Sequence, residues 1–182
     1  MTTRPAAHGG STHRVEEFHD DVLRETIERM GPRLYRFAYA MLSNREVADD
    51  VVQECFIRYW RELQRNAESF MSPGWFYKVT ARLCIDEARR QKRQGDALKE
   101  IWDHERLLPG TNAVTDEHDP REELWVRIQA LNPKDRLAVV LVYYDELPLK
   151  EAAEIMGTTA TFLKTKLARI RKKLAREEEP SS

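Results

Sequence analysis

Hydrophobic residues recur at helical spacing along most of the chain, and the clearest repeat lies over residues 160–176. Spacings of three and four residues place four apolar side chains on one face of a helix: Leu163, Leu167, Ile170 and Leu174. A shorter helix is predicted over residues 149–156, and Gly157 follows it, where a tight turn needs a residue that tolerates positive φ. Thr158 or Thr159 is expected to cap the second helix. The pattern predicts a helix-turn-helix, a motif whose second helix enters the major groove of DNA.

The same period predicts four helices in the first half of the chain. An amphipathic helix is predicted over residues 14–31, and Pro32 is expected to open a second, aromatic helix. Ser43 and Glu46 form a capping-box pattern that starts a third helix, which ends near residue 64. The fourth helix is predicted over residues 73–93, where a serine followed by proline marks its start.

Two further helix starts lie in the second half, at Asp119-Pro120 and at Asn132-Pro133, and the second of these helices is predicted to run to about residue 144. No stretch alternates apolar and polar residues over a convincing length, so the predicted fold is all-α. We expect two helical domains joined by a flexible linker. The predicted segments are a disordered tail (1–13), a first domain (14–93), an acidic linker (94–119), a second domain (120–176) and a tail (177–182).

Charge is strongly segregated along the chain, although the formal net charge is only −1. Residues 157–176 contain seven bases and no acid, and residues 75–93 contain six bases and two acids. Between them, residues 94–123 contain three bases and nine acids. An ordinary solvated helix mixes both signs, so two cationic zones separated by an acidic connector favour two contacts with nucleic acid.

Composition argues against several other classes of protein. No apolar run approaches the roughly 20 residues that span a bilayer, and the N-terminus lacks the apolar core of a secretory signal, so no membrane insertion is expected. Cys55 and Cys84 fall inside helical patterns and are interpreted as small buried thiols in a cytoplasmic protein. No metal-ligand, nucleophile or phosphate-loop motif occurs. We therefore expect no metal, no cofactor, no small-molecule substrate and no enzymatic activity.

Both halves resemble one family, the bacterial extracytoplasmic-function (ECF, group 4) sigma factors of RNA polymerase, which belong to the sigma-70 family. The stretches LYRFAYAMLSNREVADDVVQECFIRYW and WFYKVTARLCIDEARRQKR resemble sigma regions 2.1 to 2.4. The stretch ALNPKDRLAVVLVYYDELPLKEAAEIMG resembles sigma region 4. The resemblance implies a protein that binds core polymerase through its β′ clamp and β flap, melts the −10 promoter element and reads the −35 element. It also implies control by an anti-sigma factor.

A polar strip on the third predicted helix matches the part of the family motif that grips the β′ clamp. Asp50, Gln53 and Glu54 share one face at spacings of three and four residues, with Asp49 at the edge. A solvated polar face is the alternative interpretation of this pattern. The resemblance favours docking on the polymerase.

The fourth predicted helix mixes aromatic and basic residues, as a surface that holds melted DNA requires. The loop that precedes it resembles in position the family loop that builds a pocket for a flipped base. The residues predicted to contact the −10 element are Ser69, Lys78, Arg82, Arg89, Arg90 and Arg93. Trp75 and Phe76 are predicted to be core residues. Arg82 departs from the family pattern, which commonly has Asn there, so the preferred −10 sequence is left open.

The recognition helix carries the side chains predicted to meet the −35 element. These are Thr159, Thr161, Lys164, Thr165, Lys166, Arg169, Arg171, Lys172 and Lys173. Lysine and arginine can donate to guanine in the major groove, whereas the last three cations are better placed for phosphates. Thr161-Phe162 stands where the family more often has Gly-Thr, and Phe162 is expected to be a buried staple for the turn.

A stand-alone helix-turn-helix regulator of duplex operator DNA is the principal rival interpretation. It accounts for the C-terminal half but leaves the first cationic zone, with its interleaved aromatic residues, unexplained. A regulator binds its duplex alone, whereas a sigma factor requires core polymerase, so a binding assay with the purified protein separates the two.

Overall fold

The computed structural model describes residues 10–65, 71–99 and 120–176. Within these ranges the all-α prediction is confirmed: the chain is helical, contains no strand, and has no helix long and apolar enough to cross a bilayer. The first domain consists of α1 (Gly10–Leu42), α2 (Arg45–Arg65) and α3 (Pro73–Lys99). The second consists of α4 (Pro120–Ala130), α5 (Pro133–Val139), a π-helical segment (Val140–Tyr144), α6 (Leu149–Met156) and α7 (Ala160–Arg176). Residues 1–9 and 177–182 of the predicted tails, and residues 100–119 of the predicted linker, lie outside the described ranges.

The first helix crosses the position where the sequence predicted a break. α1 begins at Gly10, four residues before the predicted start, and continues through Pro32. Pro32 is exposed, so water can reach the carbonyl that loses its N–H donor. The buried stripe stays in phase across the proline, at Met30, Leu34, Phe37 and Met41. Packing of this stripe outweighs the cost of a proline inside a helix, which is about 3 kcal/mol. The prediction of two separate helices is therefore wrong.

The turn between α1 and α2 is capped differently from the predicted capping box. Ser43 adopts a φ of 52° and its N–H bonds to the carbonyl of Tyr39 at 2.8 Å, which ends α1. Asn44 caps α2, since its Oδ1 accepts a hydrogen bond from the N–H of Val47 at 3.1 Å. The predicted pairing of Ser43 with Glu46 is wrong, because Ser43 belongs to the end of the preceding helix.

Aromatic side chains fill the core between α2 and α3. Phe76 is fully buried, and its ring centroid lies 6.0 Å from that of Phe56 and 5.0 Å from that of Tyr59. Trp75 meets Phe76 edge-on at 5.1 Å. The predicted packing role of Trp75 and Phe76 is confirmed, so the aromatic residues at the start of α3 serve the fold.

The two cysteines are buried in this domain as free thiols, as predicted. Burial raises the pKa of Cys55, and burial together with the neighbouring Cys55 raises the pKa of Cys84 further. Since the thiolate is the reactive form, both side chains stay protonated and inert at neutral pH.

The second domain begins its central helix as the sequence predicted. The Asn132 side chain caps α5 by accepting a hydrogen bond from the N–H of Asp135 at 3.0 Å. The predicted helix over residues 133–144 is present, but its last five residues form the π-helical segment. The N–H of Asp145 closes that segment on the carbonyl of Val140 at 2.9 Å. The regular α-helix therefore ends at Val139, five residues before the predicted end.

The two domains pack against each other at the C-terminal end of α1. Arg136 donates from Nη1 to the carbonyl of Met41 at 2.6 Å, and Gln129 donates from Nε2 to the carbonyl of Ala40 at 2.8 Å. Carbonyls in the last turn of a helix have no N–H partner within that helix. A guanidinium also complements the negative end of the helix dipole. The second domain therefore completes the end of α1, a contact that the prediction of two domains on a flexible linker did not include.

A carboxylate is enclosed at the same interface. Asp145 of the second domain faces Arg33 and Arg36 of α1 and Tyr77 of α3. Its Oδ2 is buried and has no hydrogen-bond partner among the described residues. Burial raises the pKa of Asp145 to about 6, although Arg36, the Tyr77 hydroxyl and Arg33 each favour the charged form. The protonated carboxyl is therefore the form that the packed domains accommodate best.

Candidate nucleic-acid interface

The helix-turn-helix predicted for the C-terminal half is present. Gly157 ends α6 in the left-handed region, with φ 65° and ψ 39°. The N–H of Thr158 bonds to the carbonyl of Ala153 at 2.9 Å, which completes a glycine cap. Thr159 then caps α7, because its Oγ1 accepts a hydrogen bond from the N–H of Phe162 at 3.2 Å. Glycine and threonine thus have the roles that the sequence assigned them.

The recognition helix α7 buries one stripe and exposes the remainder. Leu163, Leu167 and Ile170 are buried against the other helices of the domain, as their spacing predicted. The predicted DNA-facing residues that are exposed are Thr159, Thr161, Lys164, Thr165, Arg169, Arg171, Lys172 and Lys173. Because no acid occurs in this helix, every exposed charge on it is positive, and these charges begin at Lys164. Such a face matches the charge of the phosphate backbone.

Lys166 differs from the other cations of α7. Its ammonium forms an ion pair with the carboxylate of Asp135 on α5, and its side chain is only 19% exposed. Asp135 is itself fixed by Asn132, whose Nδ2 donates to Asp135 Oδ2 at 2.6 Å. The expectation that Lys166 occupies an exposed position is wrong, because a carboxylate on a neighbouring helix holds it at the edge of the buried stripe.

Phe162 is also placed differently from the sequence prediction. The expected buried staple is 52% exposed, whereas the adjacent Leu163 is fully buried. Consecutive residues of a helix point about 100° apart, and in α7 it is Leu163 rather than Phe162 that faces the core. Leu163 belongs to the hydrophobic core, and Phe162 is exposed, as is Thr161.

The second cationic surface lies on α3. The described residues that the sequence assigned to it are all exposed: Lys78, Arg82, Arg89, Arg90 and Arg93. Arg90 bonds to both carboxylate oxygens of Glu87, at 2.7 and 2.9 Å, and Arg89 lies 3.9 Å from Asp86. These intrahelical pairs compensate part of the charge towards the end of α3, so its first turns carry the less compensated cations. Ser69 lies outside the described residues.

The acidic strip is on α2, as predicted. Asp49, Asp50 and Gln53 are exposed, whereas Glu54 is partly buried and accepts a hydrogen bond from Arg58 Nε at 2.8 Å. Glu54 is therefore the member of the strip least available to a partner, because its charge is already compensated.

Two family models match the chain in the order in which these surfaces occur. Residues 26–94 match sigma-70 region 2, and residues 121–174 match sigma-70 region 4. Similar curated proteins are ECF RNA polymerase sigma factors from several bacteria. This chain belongs to the ECF sigma factors of the sigma-70 family. The resemblance stated from the sequence is confirmed, and α1 to α3 correspond to region 2 and α4 to α7 to region 4.

The relatives of this sigma factor are distant in sequence. SigE of Mycolicibacterium smegmatis is 30% identical over 155 residues, which cover 82% of this chain and 59% of that protein. SigW of Bacillus subtilis is 27% identical over 173 residues, which cover 90% of this chain and 92% of that protein. The structure resembles the sigma factor RpoE of Bartonella quintana, solved in complex with the anti-sigma factor NepR. The TM-score is 0.60 at 18% identity, over 84% of this chain and 94% of that one. That likeness supports the fold.

Region 2 of this sigma factor has a further feature that sequence reasoning missed. Between α1 and α2 lies a cleft of about 670 Å³, and its apolar wall includes Ile27, Ile57 and Trp60. Asp49 and Gln53 of the acidic strip stand on its rim. The one sequence feature that could have indicated the cleft was Ile57, which follows Gln53 by one helical turn and is exposed. Without the position of α1, Ile57 looks like any isolated surface isoleucine.

Proposed function

We propose that this ECF sigma factor binds core RNA polymerase and directs it to promoters. Region 2 melts the −10 element through α3, and region 4 reads the −35 element through α7. The observation that supports this most strongly is the helix-turn-helix whose recognition helix exposes cations and no acid, on the second of two sigma domains in their family order. Catalysis belongs to the polymerase, so the sigma factor itself contributes no cofactor and acts in the cytoplasm with its enzyme.

Simultaneous binding of both elements requires the domains to separate. The two elements are centred about 25 base pairs apart, which is roughly 85 Å of duplex at 3.4 Å per pair. In the packed arrangement the hydrogen bond from Arg136 to the carbonyl of Met41 holds region 4 against the end of α1. The chain between Lys99 and Pro120 can span at most about 70 Å when fully extended. This length, added to the dimensions of the domains, is enough for both contacts once the interface opens.

The acidic strip of α2 is the proposed contact with the β′ clamp. Asp50 and Gln53 are exposed, and Gln53 lines an apolar cleft together with Asp49, so this surface suits a partner that presents apolar and basic side chains. Asp50→Arg is expected to weaken core binding at least tenfold, since a charge reversal in such a contact adds repulsion to the lost attraction. Asp86→Arg, the same reversal on an exposed acid of α3, is the matched control for core binding.

Run-off transcription with core polymerase on a promoter library tests the function as a whole. Specific transcripts that require both the chain and the core enzyme are expected. If the purified chain neither associates with core polymerase nor redirects its transcription, yet binds a duplex operator tightly alone, the stand-alone regulator is the correct interpretation. Regulation by an anti-sigma factor is proposed by analogy with the Bartonella protein, and mixing a candidate inhibitor with the chain before core is added tests it.

A further inference from the structure

Phe162 is an aromatic side chain that the fold leaves uncovered. It is 52% exposed in a helix whose other large apolar residues are turned inward, Leu163 being fully buried beside it. Its backbone N–H serves the cap of α7 through Thr159 Oγ1, so the backbone of this residue is fixed while its ring projects outward. The helix therefore holds an apolar group in a defined position outside the core.

The surroundings of the ring indicate what covers it. Phe162 lies in the first turn of α7, and the residues at the N-terminal end of a recognition helix are those that reach base edges. Thr161 and Thr165 lie beside it on the exposed side, and Lys164 and Arg169 are exposed on the same helix. With no acid in the helix, this surface matches a polyanion better than it matches an apolar protein face.

The major groove offers a phenylalanine one apolar target, the C5-methyl group of thymine. The other base edges in that groove present hydrogen-bond donors and acceptors, which the ring cannot satisfy. We propose that Phe162 is a specificity-determining residue that reads a thymine of the −35 element through its methyl group. The inference rests on the proposed role of α7 as the −35 recognition helix.

Deoxyuridine substitution tests this contact, because it removes only the methyl group. A −35 element selected with the wild-type holoenzyme is resynthesised with each thymine replaced in turn by deoxyuridine, on either strand. At one thymine, the affinity of the wild-type holoenzyme is expected to fall about fourfold, which corresponds to about 0.8 kcal/mol for one apolar carbon. The Phe162→Ala holoenzyme is expected to bind the thymine duplex at least fourfold more weakly and to be insensitive to deoxyuridine at that position.

Lys164→Ala and Arg169→Ala are the matched controls, since they remove charge from the same helix and leave the ring in place. Both are expected to weaken binding to thymine and deoxyuridine duplexes equally. If neither changes −35 binding, the groove assignment of α7 fails. Suppose that both controls weaken binding, but that no deoxyuridine substitution affects the wild-type and Phe162→Ala holoenzymes differently. The proposed contact between Phe162 and thymine is then overturned, and the proposed function stands. The same conclusion follows if the selected element contains no thymine. Thermal melting of Phe162→Ala checks the fold, which is expected to be unchanged because alanine favours the helix.

Discussion

The partly buried carboxylate of Asp145 is predicted to destabilise the packed domains more at neutral than at acidic pH. The perturbation is Asp145→Asn, which removes the charge while keeping the size of the side chain. Arg33, Arg36 and the Tyr77 hydroxyl face this group, but their combined attraction does not offset the loss of water on burial. The variant is therefore expected to be more stable than wild type at neutral pH.

The magnitude follows from the pKa of Asp145, which burial raises from 3.8 to about 6. Between these values the folded protein binds more protons than the unfolded chain, so the contribution of Asp145 to the free energy of unfolding falls as the pH rises through about 6. At pH 7.5 the charged carboxylate costs at most about 3 kcal/mol, because its partial exposure lets solvent screen the charge. At pH 4.5 the cost is about 1 kcal/mol, since the carboxyl is then protonated in the folded protein.

Urea unfolding of wild type and Asp145→Asn at the two pH values measures this difference. The difference between the unfolding free energies of the two proteins cancels the titration of every other group. This difference, which is the stabilisation by the substitution, should shrink by up to about 2 kcal/mol from pH 7.5 to pH 4.5. Tyr77→Phe removes a hydroxyl that favours the charged form and should move the midpoint of the pH dependence upwards. A difference between wild type and Asp145→Asn that is the same at both pH values would refute the reasoning.

Three further predictions concern region 4. Gly157→Ala should lower the free energy of unfolding by about 1–2 kcal/mol in urea, because φ is positive there although the space beside it is open; an unchanged midpoint would contradict the glycine cap. Asn132→Ala should cost about 1 kcal/mol by loss of the N-cap, and Asn132→Ser, which restores a side-chain oxygen without a charge beside Asp135, should recover much of it. Lys172→Ala should reduce the slope of log affinity against log salt for promoter binding by about 0.9, as expected of a phosphate contact, whereas Lys166→Ala should leave the slope nearly unchanged. Equal reductions for the two variants would show that Lys166 leaves Asp135 to meet a phosphate.

Local and periodic signals were sufficient for much of this fold. The buried stripe of α7, the left-handed Gly157 and the cap at Asn132 each depend on residues within one or two turns, and each was predicted. The errors arose where a distant contact overrode a local rule. Pro32 is a strong helix breaker by itself, yet the stripe on either side of it packs on the rest of the first domain and keeps α1 continuous.

The candidate site shows the same limit at the level of single side chains. The sequence indicated which face of α7 is cationic, but the burial of Lys166 depends on Asp135, which lies on another helix about thirty residues away. Phe162 was expected to be a buried staple for the turn although Leu163 was already predicted to be buried, and the structure shows that only Leu163 faces the core. The cleft beside the acidic strip requires two helices to be placed side by side, which periodicity alone cannot do.

The hydrogen bond from Arg136 to the carbonyl of Met41 joins residues 95 positions apart. On the ribosome, the first domain emerges well before the residue that completes the last turn of α1 has been translated. The carbonyls of that turn are hydrated at first, and they accept hydrogen bonds from Gln129 and Arg136 only after most of the chain has been made. In the proposed promoter-bound state, in which the two domains separate, the same carbonyls return to water, and the end of α1 is again hydrated as it is in the nascent chain.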